Sequence, residues 1–110
     1  MATTYRVLGQ IYPSASTLTT AYTVPALTSA IVSTICVSNQ TTVATSYRIS
    51  VEPSGNGSTV PKNYIAKDSV VSGLENHYIT IGITLASGDI VKCYSESGQV
   101  SFNLFGSEIA

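Results

Sequence analysis

The chain has 110 residues and a mass of 11.5 kDa, and with five Lys or Arg against six Asp or Glu only 10% of it is charged, where a typical soluble domain carries about 25%. A net charge of -1 and a pI near 5.6 leave no electrostatic footprint for nucleic acid and no polybasic patch for an anionic membrane. Apolar runs such as Ala30-Ile31-Val32 break far short of a membrane span.

Period-two patterning and β-branched residues dominate, and no window sustains a helical stripe. The first strand is expected at Tyr5–Gln10, stopped by Tyr12-Pro13-Ser14, and the second at Thr19–Val24, stopped by Pro25. Ala30–Asn39 is the most continuous apolar stretch, and its β-branched density predicts a central strand buried on both faces or nearly so. Ser46–Glu52 alternates, with Tyr47, Ile49 and Val51 on one face and Arg48, Ser50 and Glu52 on the other. Pro53–Ser58 is a loop. Asn63–Lys67, extended by Val70-Val71, reads as an edge strand whose lysines deter further pairing. Tyr78–Thr84 is expected to place Ile79, Ile81 and Ile83 on a single face. Ala86–Asp89 turns into Ile90–Ser95, and Ser97-Gly98 turns into Val100–Phe105; short turns predict that these last three strands form one contiguous meander.

About eight short strands at even spacing predict an all-β fold: a single antiparallel β-sandwich over residues 1–110, immunoglobulin-like or jelly-roll. A core is affordable at this length without disulfides or metals. Size scaling gives a compact chain of this mass about 5,800 Å² of surface. Roughly 30 Ser and Thr residues must supply the polar coat that charges do not. Such a surface opposes association weakly. The N-terminus lacks the basic and apolar regions of a secretory signal, so synthesis and folding in a cytoplasm are expected. There Cys36 and Cys93 are expected as two buried free thiols, with a disulfide as the second reading.

Candidate chemistry is sparse. His77 is the one histidine, and no nucleophile elbow accompanies it; it reads as an exposed or hydrogen-bonded turn residue. Cys36, His77 and Cys93 are too far apart in sequence for a short-spaced zinc motif. Asp68, Glu75 and Asp89 sit near separate turns, where acidic residues cap or are solvated more often than they bind calcium. No catalytic, cofactor or metal residue is therefore assigned. Two sequons, Asn39-Gln40-Thr41 and Asn56-Gly57-Ser58, are expected to stay unmodified. Of seven tyrosines, Tyr47 shares a face with aliphatic residues, as does Phe102, and both belong to the core. Tyr12, Tyr22 and Tyr64 are expected at a rim or interface, a composition that favours Tyr over Lys, Glu and Asp.

Several stretches carry a family likeness: Tyr5–Gln10, Ala21–Ala26, Ile31–Gln40, Tyr47–Val51 with Pro53, Ile81–Leu85 and Phe102–Ile109. On these the chain resembles small β-sandwich virion structural proteins of tailed bacteriophages of the cyanophage and marine phage type. The resemblance implies a location in the virion and a role as a capsid decoration or cement protein, or as a tail, baseplate or fibre accessory. The implied partners are its own copies, as a homotrimer, and the major capsid protein or tail proteins. It carries over no catalytic or ligand-binding residue. The segment through Pro13 and the tail Ser107–Ala110 are expected to act as arms reaching neighbours, with frayed ends as the second reading; together with the rim tyrosines they give an interface set of Tyr5, Arg6, Tyr12, Tyr22, Tyr64, Glu108 and Ile109. A host-surface glycan, should the chain belong to a fibre, would be met by loop residues such as Asn56 and Asn63.

Overall fold

The computed structural model describes residues 2–54 and 59–110. Nine strands follow in chain order: β1 (Thr3–Ile11), β2 (Thr19–Thr23), β3 (Ser29–Asn39), β4 (Thr45–Glu52), β5 (Tyr64–Val71), β6 (Asn76–Ile79), β7 (Ile83–Leu85), β8 (Ile90–Ser95) and β9 (Val100–Ile109). A single 3-10 turn at Pro61–Asn63 leads into β5, and no α-helix occurs among the described residues. No helix there is long and apolar enough to cross a membrane.

The strands form two antiparallel sheets. One runs β1-β9-β3-β6, with β7 also pairing β3, and the other runs β2-β8-β4-β5. The pairings are nested: β1 with β9, β2 with β8, β3 with β6 and β7, β4 with β5. The chain is thus one long hairpin rolled up on itself, which is the jelly-roll solution to the edge-strand problem and decides between the two sandwich types expected. Exposed surface totals 5665 Å², close to the size-scaling value, so the rolled chain is compact without a partner.

Inward residues of both sheets build one core. Ile35, Val37, Ile49, Val71, Val91, Cys93, Val100, Phe102 and Leu104 are each 0% exposed. Tyr47 is buried among them and meets Phe102 edge-on, with ring centroids 6.1 Å apart.

The meander expectation fails. β7 lies in the five-stranded sheet, β8 in the four-stranded one and β9 back in the first. Both short turns cross the sandwich instead of closing a hairpin. They do so with left-handed glycines, Gly88 at φ 85° and Gly98 at φ 71°. The alternation of side chains is the same whichever sheet a strand joins, so the pattern does not distinguish an arch from a hairpin. The expected strand Tyr78–Thr84 is also split, because Gly82 takes φ 64° and interrupts pairing to β3. Ile79 and Ile83 still pack on the core, but Ile81 is 62% exposed.

β3 is buried on its inner face only, its outer residues staying half-covered. Ser50 and Glu52 point outward as the alternation requires, yet both are buried. Glu52 accepts a hydrogen bond from the Thr59 hydroxyl and sits 3.1 Å from Lys92 Nζ. Among the described residues, Ser50 Oγ is the buried side-chain polar atom left without a hydrogen bond. The Gly55–Ser58 portion of the expected loop, with the Asn56 sequon, lies outside the described residues.

Two bulges adjust the five-stranded sheet. At Val7/Gly9 the register of β1 shifts against β9, and at Val32/Thr34 that of β3 does so. The second lies beside Gly106, whose backbone comes so close to Ile31 that a Cβ would overlap the Ile31 carbonyl. The Gly106→Ala variant is expected to lose about 2 kcal/mol or more through overpacking, read as a lower urea midpoint with unchanged slope.

Candidate interaction face

Directly opposed residues in an antiparallel pair share a face, so the register sorts every side chain of the five-stranded sheet. Outward from β1 come Tyr5, Val7 and Gln10, from β9 Ser101, Asn103, Phe105, Ser107 and Ile109. From β3 come Ile31, Thr34, Cys36 and Ser38, and from β6 and β7 Asn76, Tyr78 and Thr84. Not one of them is charged.

The face changes character along the strands. Near the chain ends it is apolar, where Tyr5 opposes Ser107, Val7 opposes Phe105, and Ile31 and Ile109 lie alongside. Tyr5 is 83% exposed, Val7 44% and Phe105 37%. Toward the other end the side chains are amides and hydroxyls, and Gln10, Tyr12, Gln40, Ser101 and Asn103 line a shallow groove of about 420 Å³.

The outer face of the four-stranded sheet is the opposite in charge. It carries Arg48, Glu52, Lys67, Asp68 and Lys92. Arg48 Nε lies 2.6 Å from Asp68 Oδ1, and its guanidinium sits 4.5 Å from the Tyr94 ring centroid and 6.0 Å from that of Tyr64. Asp68 reaches Arg48 from a left-handed bulge in β5, at φ 54°. That pairing holds the Asp68 carboxyl below its ordinary value and Arg48 above its own.

Of the seven expected interface residues, the charge-free face gathers Tyr5, Tyr12 (55% exposed) and Ile109. Tyr64 lies on the charged face, partly covered and beneath Lys67. Arg6, Tyr22 and Glu108 are instead brought together across the two sheets, with Tyr22 buried and the Arg6 side chain still 53% exposed. Glu108 points inward, with Oε1 3.0 Å from Arg6 Nη1 and Oε2 accepting the Tyr22 hydroxyl at 2.5 Å. Tyr22, expected at a rim, is buried because its ring closes the core between the sheets. The expected arms are likewise integral. Residues 3–11 pair with residues 102–109, and Ala2 and Ala110 exchange backbone hydrogen bonds at 2.8 and 3.0 Å.

The remaining candidates have structural partners. His77 lies in β6, not a turn, its Nδ1 2.9 Å from Tyr47 Oη and its Nε2 3.0 Å from Glu75 Oε1. This relay ends on a phenol only 3% exposed, whose pKa burial pushes up, so Tyr47 is poorly disposed as base or nucleophile. The Ser72 backbone N–H and then His77 hold Glu75 below its usual value. Asp89 caps the β7–β8 turn, accepting from the backbone N–H of Ala86 and of Ser54, each at 2.8 Å. No group of three or more metal-ligating side chains occurs among the described residues.

Both cysteines are free. Cys93 is buried in the core, which pushes its thiol pKa up, but Cys36 is half-covered on the charge-free face, not buried as expected.

Sequence reasoning missed Asn39. It is 1% exposed, and its side-chain amide donates to the carbonyls of Val43, Val71 and Ser72 while Oδ1 accepts from Thr41 N–H. Its place at the end of an apolar strand, before Gln40-Thr41-Thr42, is the signal that could have found it. No protein-family model matches the chain, and no curated protein matches it either.

The Tyr22 phenol has its pKa raised by burial first, then by the hydrogen bond to and charge of Glu108. The folded chain thus keeps a proton that the unfolded chain releases near pH 10. This contribution is complete below about pH 10 and is lost as pH rises beyond it. Tyr22→Phe is expected to cost about 1.5 kcal/mol at neutral pH and to flatten part of the alkaline loss, a slope shared with Cys93 and Tyr47. Urea melts of both chains between pH 7 and 11 check this.

Proposed function

We propose that the chain is a virion structural protein of the tailed-phage type, a capsid decoration or cement protein that docks through the apolar half of its charge-free face. The observation that carries the reading is the sorting of charge. None of the outward residues of the five-stranded sheet is charged, whereas five charged side chains stand on the opposite face. A soluble domain that leaves Tyr5, Val7 and Phe105 open on a face without charges has the composition of a contact surface. The jelly roll is a fold of capsid and lectin domains, and the strand and turn likeness to phage virion proteins supports the same setting.

The mechanism is mass action. Copies that bind only the assembled wall favour it over its dissociated subunits. A homotrimer fits this role, since symmetric repetition of one patch multiplies a contact that is small per copy. Four strands at ~4.8 Å spacing and ~10 residues of ~3.3 Å rise make a face of only about 600 Å², below the roughly 800 Å² per partner of a standard interface.

Phe105→Glu is expected to leave the fold intact, with a stability change under about 1 kcal/mol, and to weaken binding to particles at least about tenfold. Cosedimentation with particles lacking the protein measures this. Those particles should release genome at a lower temperature than complete ones; equal release would remove the cement role. Light scattering of the purified chain should give a trimer.

A further inference from the structure

The polar half of the charge-free face offers a second kind of contact. We propose that the groove between the ends of β1 and β9 binds an uncharged carbohydrate. The inference goes beyond the docking role, since it concerns the other end of the face.

Gln10 and Asn103 are directly opposed across the β1–β9 ladder. Their amides make no hydrogen bond among the described residues. Each presents donors and an acceptor in one plane. A sugar hydroxyl is itself donor and acceptor, so a pair of planar amides side by side matches neighbouring hydroxyls as a charged group would not.

Gln40 and Ser101 extend the row, already oriented. Gln40 Nε2 donates to Ser101 Oγ at 3.1 Å, and the Gln40 backbone N–H donates to the Gln99 carbonyl at 2.9 Å. Ordering these groups on binding therefore costs little further entropy.

Tyr12 supplies a flat apolar surface at the rim, 55% exposed. The following residue, Pro13, restricts the Tyr12 backbone to extended conformations and is itself buried. The backbone that carries the ring is thereby held at the edge of the groove, where the ring can take the C–H face of a pyranose.

Ligand charge is decided by what is missing. None of the lining residues is charged, so an ionised ligand would lose hydration without a counter-charge. The groove volume of about 420 Å³ lies in the range of small-ligand sites, about 300–1,000 Å³, and suits a mono- or disaccharide. The loop positions expected to meet a glycan do not do so: Asn63 is buried at 6% exposure, and Asn56 lies outside the described residues.

The test is a ¹⁵N-resolved NMR titration of the full chain with neutral glucose, galactose, mannose and N-acetylglucosamine and their disaccharides. Saturable shifts at Gln10, Tyr12, Gln40 and Asn103, with a Kd of about 1 mM or tighter, are expected for at least one of them. Tyr12→Ala and Asn103→Ala should each weaken that binding at least about tenfold, and Tyr12→Phe should retain it. Tyr64→Ala, on the charged face, should leave it unchanged, and thermal melts confirm that each variant is folded. The proposal is overturned if no sugar gives saturable shifts below about 20 mM, if shifts centre on Tyr64 and Tyr94, or if Tyr12→Ala binds as the parent does. Cosedimentation with particles is read separately through Phe105→Glu, so a failed titration does not touch the docking reading.

Discussion

β9 is the strand on which the rest of the structure depends. It lies between β1 and β3 and pairs with both along almost its whole length. Its inward residues Val100, Phe102 and Leu104 are each wholly buried, its outward residues form the middle of the charge-free face, and its Glu108 ties β1 to β2 through Arg6 and Tyr22. Gly106 is the point of least tolerance, because the bulge in β3 brings the Ile31 carbonyl against it. One ten-residue segment thus sets the core, the face and the clamp between the sheets.

The scarcity of charge acquires a location in the folded chain. Eleven charged side chains spread evenly would leave every surface equally bare. Instead the four-stranded sheet carries paired ions and stacked tyrosines, while Glu75 and Asp89 cap turns and Glu108 bridges the two sheets with Arg6 and Tyr22. Arg6 and Glu108 illustrate the economy: two of the few charges are spent on each other and on a buried phenol. What is left uncharged is a continuous face, apolar at one end and amide-rich at the other. The two proposed contacts divide that face between them.

Much of the fold was legible in the sequence because alternation and turn residues report strands directly. β8 falls where Ile90–Ser95 predicts, and β2, β3 and β4 fall within a residue at either end. Tyr47 and Phe102 were readable as core from the company they keep. Topology was not readable, since a strand's pattern does not name its neighbour, and cross-sheet arches were mistaken for hairpins. The candidate face was half legible. Tyr5, Tyr12 and Ile109 stand on it, but Tyr22, Arg6 and Glu108 met each other across 86 or more positions of sequence, a proximity that only folding reveals. Gln10 and Asn103 gave no signal alone, because isolated amides are common on any surface and only the register makes them a pair.

The place of β9 has a consequence for synthesis. A ribosome releases this segment after every strand it must join, so β1 and β3 have no hydrogen-bonding neighbour in common until residues 100–109 emerge. The sandwich cannot close progressively from its beginning, and most of its pairings join residues remote in sequence, the kind of topology that folds slowly. During that interval the strip destined to hold Phe102 and Leu104 is open, and Ile35, Val37 and Leu8 face water. For a chain with so little charge to keep nascent copies apart, the vulnerable moment is the one before its last strand arrives.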